Sequence, residues 1–150
     1  MNDLSYTAKV FKTVWVSDVH LGTKGSRAKE FLEFLKTIEC EKIFLVGDIV
    51  DGWQLSKRWY WPQTHNDVVQ KILEKAKRGT EIIFIPGNHD EVARDFIGLT
   101  MGGIKVKDDD IHHTVDGKIF WVVHGDLFDN VIQHARWLAY IGDWAYVFLL

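Results

Sequence analysis

The stretch Ile82-Ile83-Phe84-Ile85-Pro86-Gly87-Asn88-His89-Asp90 joins a short apolar run to a polar cluster. The run 82–85 is typical of a buried strand, because it is short, rich in β-branched residues and followed by Pro and Gly. The cluster then presents an amide, an imidazole and a carboxylate directly after that strand. These side chains bind metal ions, so the stretch indicates a metal site at the end of a strand.

Three further polar clusters each follow an apolar run of the same kind: Asp18-Val19-His20 after 14–16, Gly47-Asp48-Ile49-Val50-Asp51 after 43–46, and His124-Gly125-Asp126 after 120–123. Taken singly, each has an ordinary explanation, such as a loop ion pair, a turn, or a carboxylate that caps a helix over 50–55. Four clusters in this order, each at a strand end, indicate one shared metal site instead.

Apolar residues at helical spacing predict helices over 26–38 and 64–78 and a short third helix over 90–99. Thr64 is the expected N-cap of the second helix, and Gly79 its stop. Strands that alternate with helices predict an α/β fold with a largely parallel sheet. In such sheets ligands bind beyond the carboxyl ends of the strands, which is where the four clusters fall.

Asp116-Gly117 separates the runs 111–115 and 118–123, a pattern that predicts a hairpin joining the sheet as an antiparallel pair. His65, His112 and His113 have no metal-type spacing to the clusters. We interpret them as structural.

The composition is that of a soluble globular protein, with 47% apolar and 26% charged residues. The 150 residues predict one domain. A net charge of −3 predicts no nucleic-acid partner. Cys40 is the single cysteine, which excludes an intramolecular disulfide and fits a reducing compartment. No signal peptide is visible, so we expect a cytoplasmic protein.

The four clusters resemble the calcineurin-like metallophosphoesterase superfamily, whose pattern runs Asp-x-His, Gly-Asp-x-x-Asp, Gly-Asn-His-Asp/Glu, a later His and a final Gly-His-x-His. The resemblance implies an αββα sandwich with mixed sheets and a site for two divalent ions, with Mn expected and Fe, Zn or Mg as alternatives. It also implies hydrolysis by attack of metal-activated hydroxide at phosphorus.

The resemblance also assigns roles to individual residues. Asp18 and His20 would hold one ion, Asp48 would bridge both, and Asn88 and His124 would hold the second. His89 would stabilise or protonate the departing oxygen. We expect Asp90 to orient the His89 ring and Asp51 to support the site, with a plain helix cap as the alternative for Asp51.

The final Gly-His-x-His is missing from this sequence. We therefore expect that the natural chain continues, that 1–150 is one truncated domain, and that 127–150 begins a helical insertion or lid. Without those histidines, weak metal affinity and low activity are expected.

Aromatic residues follow the second and fourth clusters, including Trp53, Trp59 and Trp61 beside Lys57 and Arg58. One interpretation is core packing. The other is a lid for acyl chains that contacts a membrane interface. The pattern is similar to the UDP-2,3-diacylglucosamine pyrophosphohydrolase branch, which implies cleavage of a nucleotide–lipid pyrophosphate in lipid A synthesis at the cytoplasmic face of the inner membrane.

This branch usually has Arg where His89 stands, so the substrate stays open between that lipid and a soluble phosphodiester or nucleotide. A non-catalytic scaffold with this fold is a third possibility. Asp126, Asp129 and Arg27 are candidate substrate contacts, with helix capping as the commoner role for the two aspartates and a solvated helix start for Arg27.

Overall fold

The computed structural model of the protein describes residues 9–129. Its larger sheet has five strands in the spatial order β1-β2-β3-β5-β4. These strands are β1 (Lys9–Val16), β2 (Ile38–Val46), β3 (Glu81–Ile85), β4 (Thr100–Met101) and β5 (Ile104–Val106). All neighbouring pairs are parallel except β4 with β5. The prediction of a largely parallel α/β sheet is confirmed.

Three α-helices connect these strands: α1 (Ala28–Thr37), α2 (Gly52–Lys57) and α3 (Gln63–Lys77). Leu35 of α1 and Val68 of α3 are buried in one core with Ile43 and Ile82. Side chains alternate between the two faces of a strand, so this core occupies one face of the sheet. The predicted cap of α3 was wrong, because the helix begins at Gln63 and Pro62 is the N-cap residue.

The opposite face carries a separate two-stranded antiparallel sheet, formed by β6 (Asp110–His113) and β7 (Ile119–Val122). The predicted hairpin is therefore present, but it does not extend the larger sheet. Its buried side chains His112 and Val122 pack on Phe44 and its neighbours, which places the pair on the face of the sheet. Two stacked sheets with helices outside the larger one agree with the predicted sandwich. Over residues 9–129, no α-helix covers the outer face of the small sheet.

The predicted third helix was wrong in kind and length. The segment forms only a 3-10 helix, Glu91–Phe96, and Gly98 follows it with φ of 88°. The carboxylate of Asp90, which could have capped a helix here, binds backbone groups of another loop. A two-residue Gly102-Gly103 turn then joins β4 to β5, two short strands that our sequence analysis missed.

Most of the predicted helical insertion, 127–150, lies outside the described residues, as does the aromatic segment 137–150. Of that insertion, only 127–129 are described, where the 3-10 helix Gly125–Phe128 ends. The single-domain prediction stays a prediction. Within the described range, no helix is long and apolar enough to cross a membrane.

Glu81 lies at the start of β3, away from the polar clusters, and pairs with Lys105 and Lys42 at 2.7 and 2.9 Å. Hydrogen bonds from these two lysines lower the pKa of Glu81 from 4.5 to about 2. The pairs thus stabilise the fold above pH 4.5, and this contribution is lost as the pH falls toward 2. We expect Glu81→Gln to lower the free energy of unfolding at pH 7 by about 0.5–1 kcal/mol, because the side chain is one-third exposed.

The difference between wild type and Glu81→Gln should shrink on acidification, measured by urea unfolding between pH 7 and pH 3. Glu74→Gln is the matched control, since Glu74 makes a single exposed helix pair with Lys71. A difference that does not change with pH would contradict the assignment.

Candidate metal centre

Backbone hydrogen bonds join the loops after β1 and β2, which carry three candidate ligands. Asp18 N donates to Gly47 O at 3.2 Å, and His20 N donates to Asp48 O at 2.9 Å. Asp18, His20 and Asp48 have φ values of 56°, 50° and 56°, in the left-handed region that side chains rarely adopt. Such backbone costs on the order of 1–3 kcal/mol and is concentrated at functional sites. The surrounding fold therefore holds these residues in a costly conformation.

Asp48 occupies the centre of the cluster and is only 6% exposed. Its Oδ2 lies 3.9 Å from His20 Nε2 and also 3.9 Å from His124 Nε2. Its Oδ1 accepts a hydrogen bond from His89 N at 3.0 Å. One carboxylate oxygen thus lies equally close to two imidazoles, which follow different strands. Asp48 and these two imidazoles would together hold metal at this centre.

Two glycines make room for this approach. A Cβ on Gly47 would lie 2.1 Å from His124 Cδ2, so the imidazole occupies the space of a side chain. A Cβ on Gly87 would lie 2.4 Å from Asp48 Oδ1 and 2.8 Å from His124 Cε1. Gly47 and Gly87 therefore have no room for a side chain, because the candidate ligands Asp48 and His124 occupy that space.

Asp51 joins two of the imidazoles. Its Oδ2 lies 3.2 Å from His20 Nδ1 and 3.2 Å from His89 Nδ1, while its Oδ1 accepts from Gln54 N and caps α2. Burial alone would raise the pKa of Asp51, but the bond from Gln54 N and the contacts with His89 and His20 outweigh it and lower the pKa. The two interpretations of Asp51, helix cap and support of the site, are thus compatible.

His89 lies at the edge of the cluster, where its ring meets His20 edge-on at 4.8 Å and the Trp53 ring at 4.3 Å. His20, Asp48 and His89 each offer one donor atom within 4.8 Å of the others. Because His89 Nδ1 faces Asp51, Nε2 is the ring atom left to meet a substrate. His89 therefore lies beside the candidate ligands His20 and Asp48.

The expected role of Asp90 was wrong. The carboxylate beside the His89 ring belongs to Asp51, and Asp90 binds backbone N–H groups. Asp90 Oδ2 accepts from Ile49 N at 2.8 Å and from Val50 N at 3.3 Å, and Oδ1 accepts from Gly87 N and Asp48 N. Asp90 thus ties the second cluster to the third.

Asp90→Asn should destabilise the fold by about 2–3 kcal/mol, because an amide N–H₂ would face backbone donors that the carboxylate now satisfies. Urea unfolding of the metal-free protein measures this effect. Asp95→Asn is the control, since Asp95 is exposed on the 3-10 helix Glu91–Phe96, which directly follows Asp90. Equal stability of the two variants would refute the role of Asp90.

The other candidate residues are distributed around this centre. Asn88 is half-buried between Gly87 and His89, both of which adjoin Asp48. Arg27 is exposed, pairs with Glu30, and lines an open groove of about 660 Å³ with Asp18 and His20.

The two candidate aspartates of the fourth cluster differ in their surroundings. Asp129 is exposed at the end of the 3-10 helix Gly125–Phe128. Asp126 is mostly buried, and its carboxylate meets Arg94 and His124. The Asp126 carboxylate is thus engaged within the protein, and its expected substrate contact stays a prediction.

Our sequence analysis missed two supporting residues. Arg94 has no local pattern that marks it, yet it reaches Asp126 and Pro86 O. His65, interpreted as structural, is buried in α3 and accepts a hydrogen bond from Gly22 N at 3.0 Å, in the loop that carries His20. Burial lowers the pKa of His65, which keeps it neutral and able to accept that bond.

The donor set fits divalent metal ions. Carboxylate oxygens and imidazole nitrogens together suit Mn, Fe or Zn better than an ion restricted to oxygen ligands. The shared position of Asp48 between two imidazoles is the observation that matches a pair of ions. The number and identity of the ions belong to the proposal below.

The chain is similar to two named proteins. A UDP-2,3-diacylglucosamine hydrolase of Azotobacter vinelandii (strain DJ / ATCC BAA-1303) is 27% identical over 118 residues, which are 76% of this chain and 47% of that protein. The chain thus spans about half the length of this curated relative. A crystal structure of Pseudomonas putida nuclease MPE aligns with a TM-score of 0.39 and 24% identity, covering 63% of this chain and 46% of that one.

The family profile of calcineurin-like phosphoesterases matches residues 11–144. This range includes all four polar clusters and every candidate ligand. The chain therefore belongs to the calcineurin-like phosphoesterase family.

Proposed function

We propose that this protein is a metal-dependent hydrolase that cleaves the pyrophosphate of a nucleotide-linked lipid such as UDP-2,3-diacylglucosamine, with two Mn ions. The observation that carries the hydrolase assignment is the position of Asp48 Oδ2, 3.9 Å from both His20 Nε2 and His124 Nε2. Asp18 would complete one ion site and Asn88 the other.

The two ions, when bound, would polarise the phosphoryl oxygens and activate water for in-line attack. The protein's own side chains would orient the reacting groups and supply a proton. The Asp51 carboxylate lies beside His89 Nδ1, and in the doubly protonated ring Nε2–H would pass its proton to the departing oxygen and leave a neutral imidazole. Trp53 packs against the His89 ring and would shield that side from bulk water.

The substrate class is supported by the named relative and by the aromatic surface near the site. Trp53 is partly exposed beside His89, and Trp59 is 74% exposed. Lys57 and Arg58 lie between them in the chain and are also exposed. An aromatic and basic surface suits a lipid that carries phosphate groups.

A soluble phosphodiesterase is the second candidate, favoured by the presence of His89 with Asp51 behind it. A proton donor contributes most when the leaving group is poor, whereas a pyrophosphate leaves readily without one. This histidine therefore suits a phosphodiester with an alcohol leaving group.

Hydrolysis with added Mn²⁺ separates the two candidates. The substrates are UDP-2,3-diacylglucosamine, UDP-N-acetylglucosamine as the match without acyl chains, bis-p-nitrophenyl phosphate and a cyclic nucleotide. We expect the highest kcat/KM for the diacylated substrate, with release of UMP. Higher kcat/KM for the cyclic nucleotide would replace the lipid proposal with the phosphodiesterase, and no hydrolysis of any substrate would refute both.

We also propose that the exposed aromatic and basic surface around Trp59 contacts the cytoplasmic face of the bacterial inner membrane. Sedimentation with vesicles that contain anionic lipid measures this contact. Trp59→Ser should reduce binding, whereas Trp121→Ser, which changes an exposed Trp on the small sheet, should not. Equal binding of both variants and wild type would contradict the assignment.

A further inference from the structure

Arg94 and Asp126 form an ion pair behind the candidate ligand His124. Asp126 Oδ1 lies 3.2 Å from His124 Nδ1, and Asp126 Oδ2 accepts a hydrogen bond from Arg94 Nη2. The side chains of His124 and Asp126 are 15% and 13% exposed. Among the described residues, buried His124 Nδ1 makes no hydrogen bond, so its contact with Asp126 is electrostatic. Arg94, Asp126 and His124 thus form a mostly buried row that leads toward Asp48.

The orientation of the His124 ring places Nε2 toward Asp48 and Nδ1 toward Asp126. Nε2 faces Asp48 Oδ2 at 3.9 Å, so Nδ1 lies on the side of Asp126. An imidazole that binds a metal through Nε2 must carry its proton on Nδ1. A carboxylate 3.2 Å from Nδ1 favours that tautomer, and donation of Nδ1–H to it would fix the ring direction.

Arg94 makes a second contact that links this row to the third cluster. Its Nη2 also donates to Pro86 O at 3.2 Å. Pro86 precedes Gly87, which adjoins both Asp48 Oδ1 and His124 Cε1. One guanidinium nitrogen therefore connects the end of β3 with the loop after β7, and these two segments supply the candidate ligands of the second ion.

We propose that Arg94 is a positioning residue that acts through Asp126 to hold His124 in the tautomer and direction required for the second metal ion. The inference rests on the proposed function, because it needs an ion at His124. It also gives Asp126 a role in supporting a ligand instead of contacting substrate.

Mn²⁺ titration by calorimetry tests the proposal on the natural protein. Asp126→Asn and Arg94→Met should each weaken one of two Mn²⁺ sites by about 10- to 100-fold, the usual effect of removing a group that orients a ligand. The double variant should be no weaker than the more affected single variant, because both changes break the same row. Arg94→Lys should recover part of the affinity, since it keeps a cation near Asp126.

A second measurement needs no metal. Nitrogen-15 shifts of the His124 ring should show the Nδ1–H tautomer in wild type and a mixture of tautomers in Asp126→Asn. Arg78→Met is the control, because Arg78 is exposed at the end of α3, and it should leave affinity and tautomer unchanged.

Unchanged metal affinity in both single variants, or effects that add in the double variant, would overturn the positioning role. That result, in an enzyme that still hydrolyses the nucleotide-linked lipid, would leave the proposed function standing. Conversely, wild-type protein that binds two ions and shows the predicted variant effects, but cleaves no phosphoester, would refute the proposed function alone.

Discussion

Asp48→Asn is expected to reduce phosphoester hydrolysis at least about a thousandfold, because it removes a charged ligand candidate at the centre of the cluster. A thousandfold loss corresponds to about 4 kcal/mol of transition-state stabilisation. The amide keeps the size of the carboxylate and one oxygen, so the hydrogen bond from His89 N can persist. It removes the negative charge and the shared Oδ2 that faces both His20 and His124. The variant should fold and yet bind fewer ions.

Steady-state hydrolysis and metal content, measured on the same samples, check this result. Asp67→Asn is the matched control, since Asp67 lies on α3 and, within residues 9–129, its carboxylate bonds with Gln63 one helical turn away. A folded Asp48→Asn protein with wild-type hydrolysis and metal content would refute the central role of Asp48.

Gly87→Ala should have the second-largest effect. Its Cβ would lie 2.4 Å from Asp48 Oδ1 and 2.9 Å from Asp48 N, so a backbone atom would have to move as well as a side chain. Overpacking of this kind costs about 1–3 kcal/mol of stability. The displacement also moves Asp48 away from the imidazoles, and we expect hydrolysis to fall about a hundredfold, since small displacements of a catalytic group are costly.

Thermal unfolding and hydrolysis measure the two parts of this prediction separately. Gly25→Ala is the control, because a Cβ at Gly25 would meet nothing within 4 Å. Gly87→Ala protein that matches Gly25→Ala in both measurements would show that the close approach at Gly87 is unimportant.

The position of the centre in the fold was predictable because two signals coincide in the chain. Each apolar run ends at a polar cluster, and parallel strands deliver their carboxyl ends to one edge of a sheet. The largely parallel α/β sheet followed from the same alternation, whereas the sandwich with mixed sheets was implied by the family resemblance. These inferences need only local patterns.

The support of the centre was less predictable, because it depends on contacts between distant segments. Asp90 follows His89 in the chain, and this adjacency suggested that it orients the ring. In the fold, Asp51 reaches the ring from the other loop, and Asp90 binds the backbone at Ile49 and Val50. A residue that is adjacent to His89 in the sequence need not contact the His89 ring in the fold.

Arg94 and the left-handed backbone of Asp18 and His20 were missed for a similar reason. No local pattern marks an arginine that will meet a carboxylate 32 residues away. The Gly102-Gly103 turn was a signal that could have been used, since two glycines between short apolar runs are typical of a tight hairpin.

Electron paramagnetic resonance of the Mn²⁺-loaded natural protein tests the central claim most directly, because it reports whether two ions share one bridging group. The closeness of Asp48 to both His20 and His124 predicts that two Mn²⁺ ions would share this carboxylate, and therefore an exchange-coupled spectrum. That coupling should disappear in Asp48→Asn. A single uncoupled Mn²⁺ signal at saturating metal in the wild-type protein would contradict the account.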